Sequence, residues 1–258
     1  MSADLEQDVW GALRGLTAAR IGLRRAGASL ATAPLLDFKL AHARARDAVH
    51  ETLDEARLLD DLGCLGAGVL GVASAAEDRQ HFLRRPDLGR RLAPDAGSRL
   101  TAHAGPYDAV FVVADGLSAS AVQRHAQPVL AEIMPALRAE GWRIAPVIVA
   151  RHGRVAIGDA VAKLLNAGCV AILIGERPGL SAPDSMGAYL TWHPRPDTTD
   201  ADRNCISNIR PDGIGYADAA FKLIYLLRAM RAQGVSGVRL KDNSDRLRLS
   251  SQEPARLE

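Results

Sequence analysis

A carboxylate set directly after a buried strand can accept hydrogen bonds from a ligand. A thiol can attack or pack, and guanidinium groups can grip carboxylate, phosphate or amide oxygen. All three kinds of group gather in one stretch of this chain, Ala171 to Pro211. The apolar run Ala171 to Ile174 passes straight into Gly175-Glu176-Arg177-Pro178-Gly179. A polar loop follows, then an extended Tyr189-Leu190-Thr191-Trp192, then Asp202-Arg203-Asn204-Cys205-Ile206-Ser207-Asn208. Few structural needs put so many polar groups near a buried strand. The stretch reads as a loop system that holds a ligand.

Each group has a plainer reading. Glu176 could pair with Arg177, but neighbours in extended chain point apart. Cys205 could be a nucleophile or a small packed side chain. No histidine is close in sequence to act as its base, so Cys205 reads as pocket wall. Asp115-Gly116-Leu117-Ser118 could hold a catalytic Asp or Ser, yet a turn and a helix cap account for it. Ser118 lies in no GxSxG elbow. Gly66-Ala67-Gly68-Val69-Leu70-Gly71 matches GxGxxG, but the upstream segment reads as helix, so it is expected to be a loop after a helix end. The arginines of Arg84-Arg85-Pro86-Asp87-Leu88-Gly89-Arg90-Arg91 suit a solvated loop or an acidic partner face.

The elements that must position these groups are legible in the periodicity. Residues 3 to 95 read mostly helical, with Ala41, Ala45, Ala48, Val49, Leu53, Ala56 and Leu59 in one stripe. From about Tyr107 three apolar runs alternate with helices. They are Ala109 to Ala114, Ile144 to Ala150 and Val170 to Ile174. Ser118 is expected to cap a helix that Pro128 and Pro135 kink or split. Asp159 opens the next helix, Asn166-Ala167-Gly168 stops it, and a last helix runs from about Tyr216 to Gln233. Unbroken apolar strands alternating with helices predict an α/β fold. The sheet is expected to be mostly parallel and Rossmann-like, with helices on both faces. A smaller helical region over 1–100 precedes an α/β domain over 101–242, and a mobile tail covers 243–258. Ligands of such sheets bind at the strands' carboxyl ends. Asp115-Gly116, Arg151 to Val155 and Gly175 to Arg177 all fall there.

Composition narrows the function classes. A formal charge of +2 and 4% aromatic residues argue against a nucleic-acid surface. No apolar run nears the roughly 20 residues that span a bilayer. Cys64, Cys169 and Cys205 form no CxxC pair, and the N-terminus lacks a signal-peptide pattern, which predicts a reduced cytoplasmic protein. No metal-ligand spacing is present.

The chain resembles the small subunit of ethanolamine ammonia-lyase, the adenosylcobalamin-dependent enzyme. The matching stretches are RIGLRRAG (20–27), LAHARARDAV (40–49), RRPDLGRRL (84–92), VFVVADGLSASAV (110–122), ARHGRVAIGD (150–159), IGERPGLSAPDSMGAYLTWHPRP (174–196) and DRNCISNIRPDG (202–213). They cover most of residues 20 to 240, in order. The resemblance implies cobalamin contacts at Val155, Glu176 and Cys205, which makes 101–242 the cobalamin-binding domain. It implies no catalytic residue here, because the family's large subunit, a TIM barrel on a separate chain, carries the substrate site. It also implies a hetero-oligomer of several large/small pairs and radical conversion of ethanolamine to acetaldehyde and ammonia. A DxHxxG pattern, with which some cobalamin folds replace the nucleotide base, is absent. Some relatives carry an N-terminal extension that directs them to a bacterial microcompartment; this chain starts close to the matching region. Two other readings remain: a non-catalytic nucleotide-binding module on the same strand ends, and an RNA-binding protein resting on the arginine clusters.

Overall fold

The computed structural model describes residues 10–245. The chain opens with a short helix α1 (Gly11–Arg14) and a hairpin of β1 (Arg25–Ala26) and β2 (Ser29–Leu30). Then come α2 (Thr32–His50), α3 (Glu55–Gly63), β3 (Val69–Ala73), α4 (Arg79–Arg84) and α5 (Ala96–Thr101). The α/β part continues through β4 (Tyr107–Ala114), α6 (Ala119–Ala139), β5 (Val147–Arg151), α7 (Ile157–Leu165) and β6 (Ala167–Gly175). It ends with β7 (Met186–Trp192), β8 (Arg203–Ile209) and α8 (Tyr216–Gln233).

Six strands form one sheet in the order β3-β5-β4-β6-β7-β8. The α/β class is as expected, but the sheet is mixed. The pairings from β3 to β6 are parallel, while β6–β7 and β7–β8 are antiparallel. The physical reason is connection length. The link from Glu176 to Ser185 is too short to carry a crossover helix, so the chain must turn back on itself. The residues Asp202 to Asn208, expected as loop, are therefore largely the edge strand β8.

The alternation of side chains along the strands divides the core. The first face collects Phe111, Val113, Val149, Ala171, Leu173, Ala188 and Ile206 under α3, α6 and α8. The second collects Val110, Val112, Ile148, Val170, Ile172 and Ile174 under α5 and α7. From Ala109 to Ala114 both faces of β4 are buried, which is why that part of its sequence is an unbroken apolar run.

Further details differ from the sequence pattern. The segment read as mostly helical also contains β3, which pairs with β5 at the sheet's edge. Of the GxGxxG match, Gly66 and Gly68 thus precede a strand and Gly71 lies within it, where a dinucleotide loop would follow one. The α2 stripe holds from Ala41 to Val49, but the chain breaks after His50, and Leu58 and Leu62 of α3 take over the core contact. Helix α6 is continuous through Pro128 and Pro135. Its buried row of Val122, Val129, Leu130, Ile133 and Leu137 outweighs the two lost backbone hydrogen bonds. Of the tail expected from 243, Ser244 is fully buried and accepts from Lys222 Nζ at 3.2 Å. Residues 246–258 lie outside the described residues. No helix among the described residues is long and apolar enough to cross a membrane.

Candidate functional site

Helices α5 and α7 cover β3 to β6 on the second face, but among the described residues no helix packs there on β7 and β8. Tyr189 pairs with both Ile172 and Cys205, so all three share that face. Cys205 and Ser207 are exposed and Tyr189 is half-buried. The result is an open shelf beside the start of α7.

Glu176 stands at its upper rim, just past the end of β6. Its own N–H donates to Ser185 O at 3.0 Å, which holds the chain after the strand. Its carboxylate accepts from Asn208 N–H at 3.3 and 3.2 Å. Asn208 can reach it because β8 carries a bulge. Between Met186↔Ile209 and Ala188↔Ile206 the edge strand has one residue more than its partner, and Asn208 adopts φ 59°. Beneath the carboxylate lies Gly187, where any Cβ would fall 2.9 Å from Glu176 Oε1. The bare glycine leaves room for the acid to lie over the sheet.

Tyr189 ties the shelf together. Burial first, then the neighbouring Cys205 and the nearby charge of Glu176, pushes the phenol up to about 12. The phenol therefore stays protonated at neutral pH. Cys205 Sγ also lies 3.3 Å from Ser207 Oγ. Arg203, two residues before Cys205, is turned toward α7. It makes two 2.7 Å hydrogen bonds to Asp159 and one of 3.0 Å to Thr191 Oγ1. It clamps β8 to α7 and thereby fixes the lateral edge of the shelf.

Val155 lies in the first turn leading into α7 and packs against the second core face. Together with Pro86, Arg90, Arg154, Ala156 and Asp200 it lines a hollow of about 360 Å³. Asp200 joins this hollow to the shelf, since its charge also acts on Tyr189. Val155 and Glu176 lie at the carboxyl ends of β5 and β6, where the sequence placed a ligand. Cys205 lies in mid-strand, level with Ile172, and joins them through register and not through a loop. A larger hollow, about 740 Å³, is elsewhere, between α3 and the start of α6. Its walls are scattered charged and amide groups, including Asp54, Arg57, Asp61, Gln123 and Arg124, with none of the three expected contacts.

Asp115 is 2% exposed and is held by Arg79 Nη1 and Gly153 N–H, each at 3.2 Å. Burial pushes its carboxyl up, against the pull of Arg79 and His152. It braces the β4 and β5 turns. Ser118 occupies the N-cap position of α6 without a side-chain cap; its hydroxyl instead donates to Pro183 O at 3.1 Å. Tyr189 and Asn208 fall in the stretch expected to hold a ligand but carry no local mark of a role, and neither do Gly187 and Arg154. Only the pairing register and the bulge bring the first three to Glu176, and neither is written locally.

The family model described as "Ethanolamine ammonia-lyase light chain (EutC)" matches residues 7–241. An "Ethanolamine ammonia-lyase small subunit" of Ralstonia nicotianae is 55% identical over 248 residues, 94% of this chain and 92% of its own. The protein of the same description from Azotobacter vinelandii is 53% identical over 247 residues, with 94% and 92% covered. That of Pseudomonas aeruginosa is 50% identical over 252 residues, with 96% and 92% covered.

Proposed function

The chain belongs to the ethanolamine ammonia-lyase light-chain family, and from that premise we propose that its shelf is the small subunit's half of an adenosylcobalamin site. It is a subunit of an ammonia-lyase. On this reading the enzyme converts ethanolamine to acetaldehyde and ammonia, and a large subunit, a TIM barrel, carries the substrate site and closes over the shelf. The single observation that carries the cofactor role is the convergence of Glu176, Tyr189 and Cys205 on a part of the sheet that no helix among the described residues covers.

The residues fit the group. A corrin is broad, flat and fringed with amides. The shelf is an open stretch of sheet whose polar groups stand at its edge. Glu176 receives only one N–H from Asn208, so its two oxygens keep lone pairs for amide donors. Tyr189 and Cys205 offer an aromatic ring and a small polarizable side chain. Val155 offers apolar surface at the rim. When bound, the cofactor supplies radical chemistry that begins with homolysis of its cobalt–carbon bond. The residues of this chain orient it and keep water away from it; none of them moves a proton to substrate.

A partner is also suggested by the surface. Trp10, Leu13, Leu16, Leu30, Leu36, Phe38 and Leu40 are all exposed, in a segment that buries little within this chain. Several large/small pairs would make the complete enzyme. A cytoplasmic location, within a microcompartment or outside one, is part of the same proposal. The test is reconstitution. The chain alone should deaminate no ethanolamine, and activity should appear only with the large subunit and adenosylcobalamin. Turnover by this chain alone would end the proposal.

A further inference from the structure

We infer that the hollow beside Val155 is an anion subsite in which Arg154, helped by Arg90, holds a phosphate group. This deepens the proposed cobalamin role by one group, and it makes its own claim about ligand chemistry.

Arg154 is held as a built residue is held. Its N–H donates to Gly89 O at 2.7 Å. Its side chain runs over Gly89, where a Cβ would fall 2.9 Å from Arg154 Cγ. Its guanidinium carbon stands 4.7 Å from the centroid of Phe82, a fully buried ring. Arg79 lies over the same ring at 5.2 Å. Two cations on one aromatic ring attract the ring but repel each other.

The arginine lacks a counter-charge. Its Nε is buried with no hydrogen-bond partner among the described residues. Burial, followed by the positive charges of Arg79, Arg90 and Arg177, holds its pKa below the usual arginine range. The opposing carboxylate of Asp115 already accepts from Arg79 and from Gly153 N–H. Asp200 is on the wall of the hollow, but it is 95% exposed and faces Arg203 Nε at 3.6 Å. Arg154 and Arg90 thus line a hollow of about 360 Å³ without a paired anion, at the N-terminal end of α7. Guanidinium groups and a helix N-terminus both favour a phosphate over a neutral group. The space suits a phosphate ester and is too small for a corrin.

That phosphate has two sources: the phosphodiester of the cofactor's nucleotide tail, or free inorganic phosphate. The assembled two-subunit enzyme separates them. Adenosylcobalamin and adenosylcobinamide, which lacks the nucleotide and its phosphate, are titrated into wild type and Arg154→Met by absorbance. If the tail is the ligand, Arg154→Met should lose roughly 10–100-fold in affinity for adenosylcobalamin and little for adenosylcobinamide. If free phosphate is the ligand, inorganic phosphate should raise the thermal midpoint of wild type and not of the variant. Equal loss for both corrinoids without a phosphate effect overturns the subsite and points to a carboxylate of the large subunit. Should Arg154→Met fail to fold, Arg90→Met, at an exposed position, carries the same comparison. A wild type that binds neither corrinoid refutes the cobalamin role, while the phosphate arm still decides the subsite.

Discussion

The backbone N–H of Asn208 stands 3.3 and 3.2 Å from the two carboxylate oxygens of Glu176. A turn after β6 and a bulge in β8 meet at this one acid. The bulge gives Asn208 its left-handed backbone and aims its N–H across β7, so two strands set the orientation of one side chain.

Glu176→Gln tests the acceptor role. A glutamine offers one acceptor oxygen and presents an NH₂ group where a second acceptor stood. In the assembled enzyme, cobalamin affinity should fall by about 1–3 kcal/mol, the scale for a mismatched buried polar partner. Titration with the cofactor reads it directly, and unchanged affinity would remove Glu176 from the site.

Gly187→Ala should disturb the same acid without touching its chemistry. The new methyl group would sit 2.9 Å from Glu176 Oε1 and push the carboxylate off Asn208. Alanine in place of glycine within a strand otherwise costs little. The expected outcome is several-fold weaker cofactor binding with the thermal midpoint nearly unchanged. Binding equal to wild type would argue against a seat for Glu176 over Gly187.

Asp159→Asn addresses the clamp between α7 and β8. Arg203 is 3% exposed at the side chain and Asp159 15%, and losing the carboxylate leaves the buried guanidinium with only the exposed Asp200, 3.6 Å from its Nε, as counter-charge. Breaking such a pair costs about 3–5 kcal/mol. For a domain of this size that lowers the thermal midpoint by roughly 10 °C. A shift under about 2 °C would mean that the pair contributes nothing measurable.

Cys169 predicts an alkaline weakness. Complete burial, then the nearby Asp108 charge, pushes its thiol up to about 12. The folded chain therefore keeps a proton that the unfolded chain releases from about pH 9 upward. The stability this contributes is fully present below pH 9 and is lost as pH rises toward 12, on the order of 2–4 kcal/mol. Cys169→Ala should flatten the fall in urea midpoint between pH 9 and 11. An unchanged slope would assign the alkaline loss to other groups.

Much of the site was legible in the chain. Val155 and Glu176 each follow an apolar run, and a run buried on both faces must end at a rim, so their place at the carboxyl ends of β5 and β6 follows from strand patterning. The helices α6, α7 and α8 were likewise visible at helical spacing. Strand β3 was not, because Val69–Ala73 is five residues long, holds a glycine and lies among helical segments. Proline at 128 and 135 suggested a split in α6 that burial of its apolar row prevents.

Read alone, the sequence determined the α/β class, the rim positions of Val155 and Glu176, and, through long ordered similarity, the family. Tertiary structure decided what surrounds them. Local patterning records which residues are buried, whereas antiparallel register and a one-residue bulge depend on pairing between distant segments. That pairing sets Cys205 against Tyr189, brings Asn208 to Glu176, and leaves the stretch from Ala171 to Pro211 as an uncovered face of sheet.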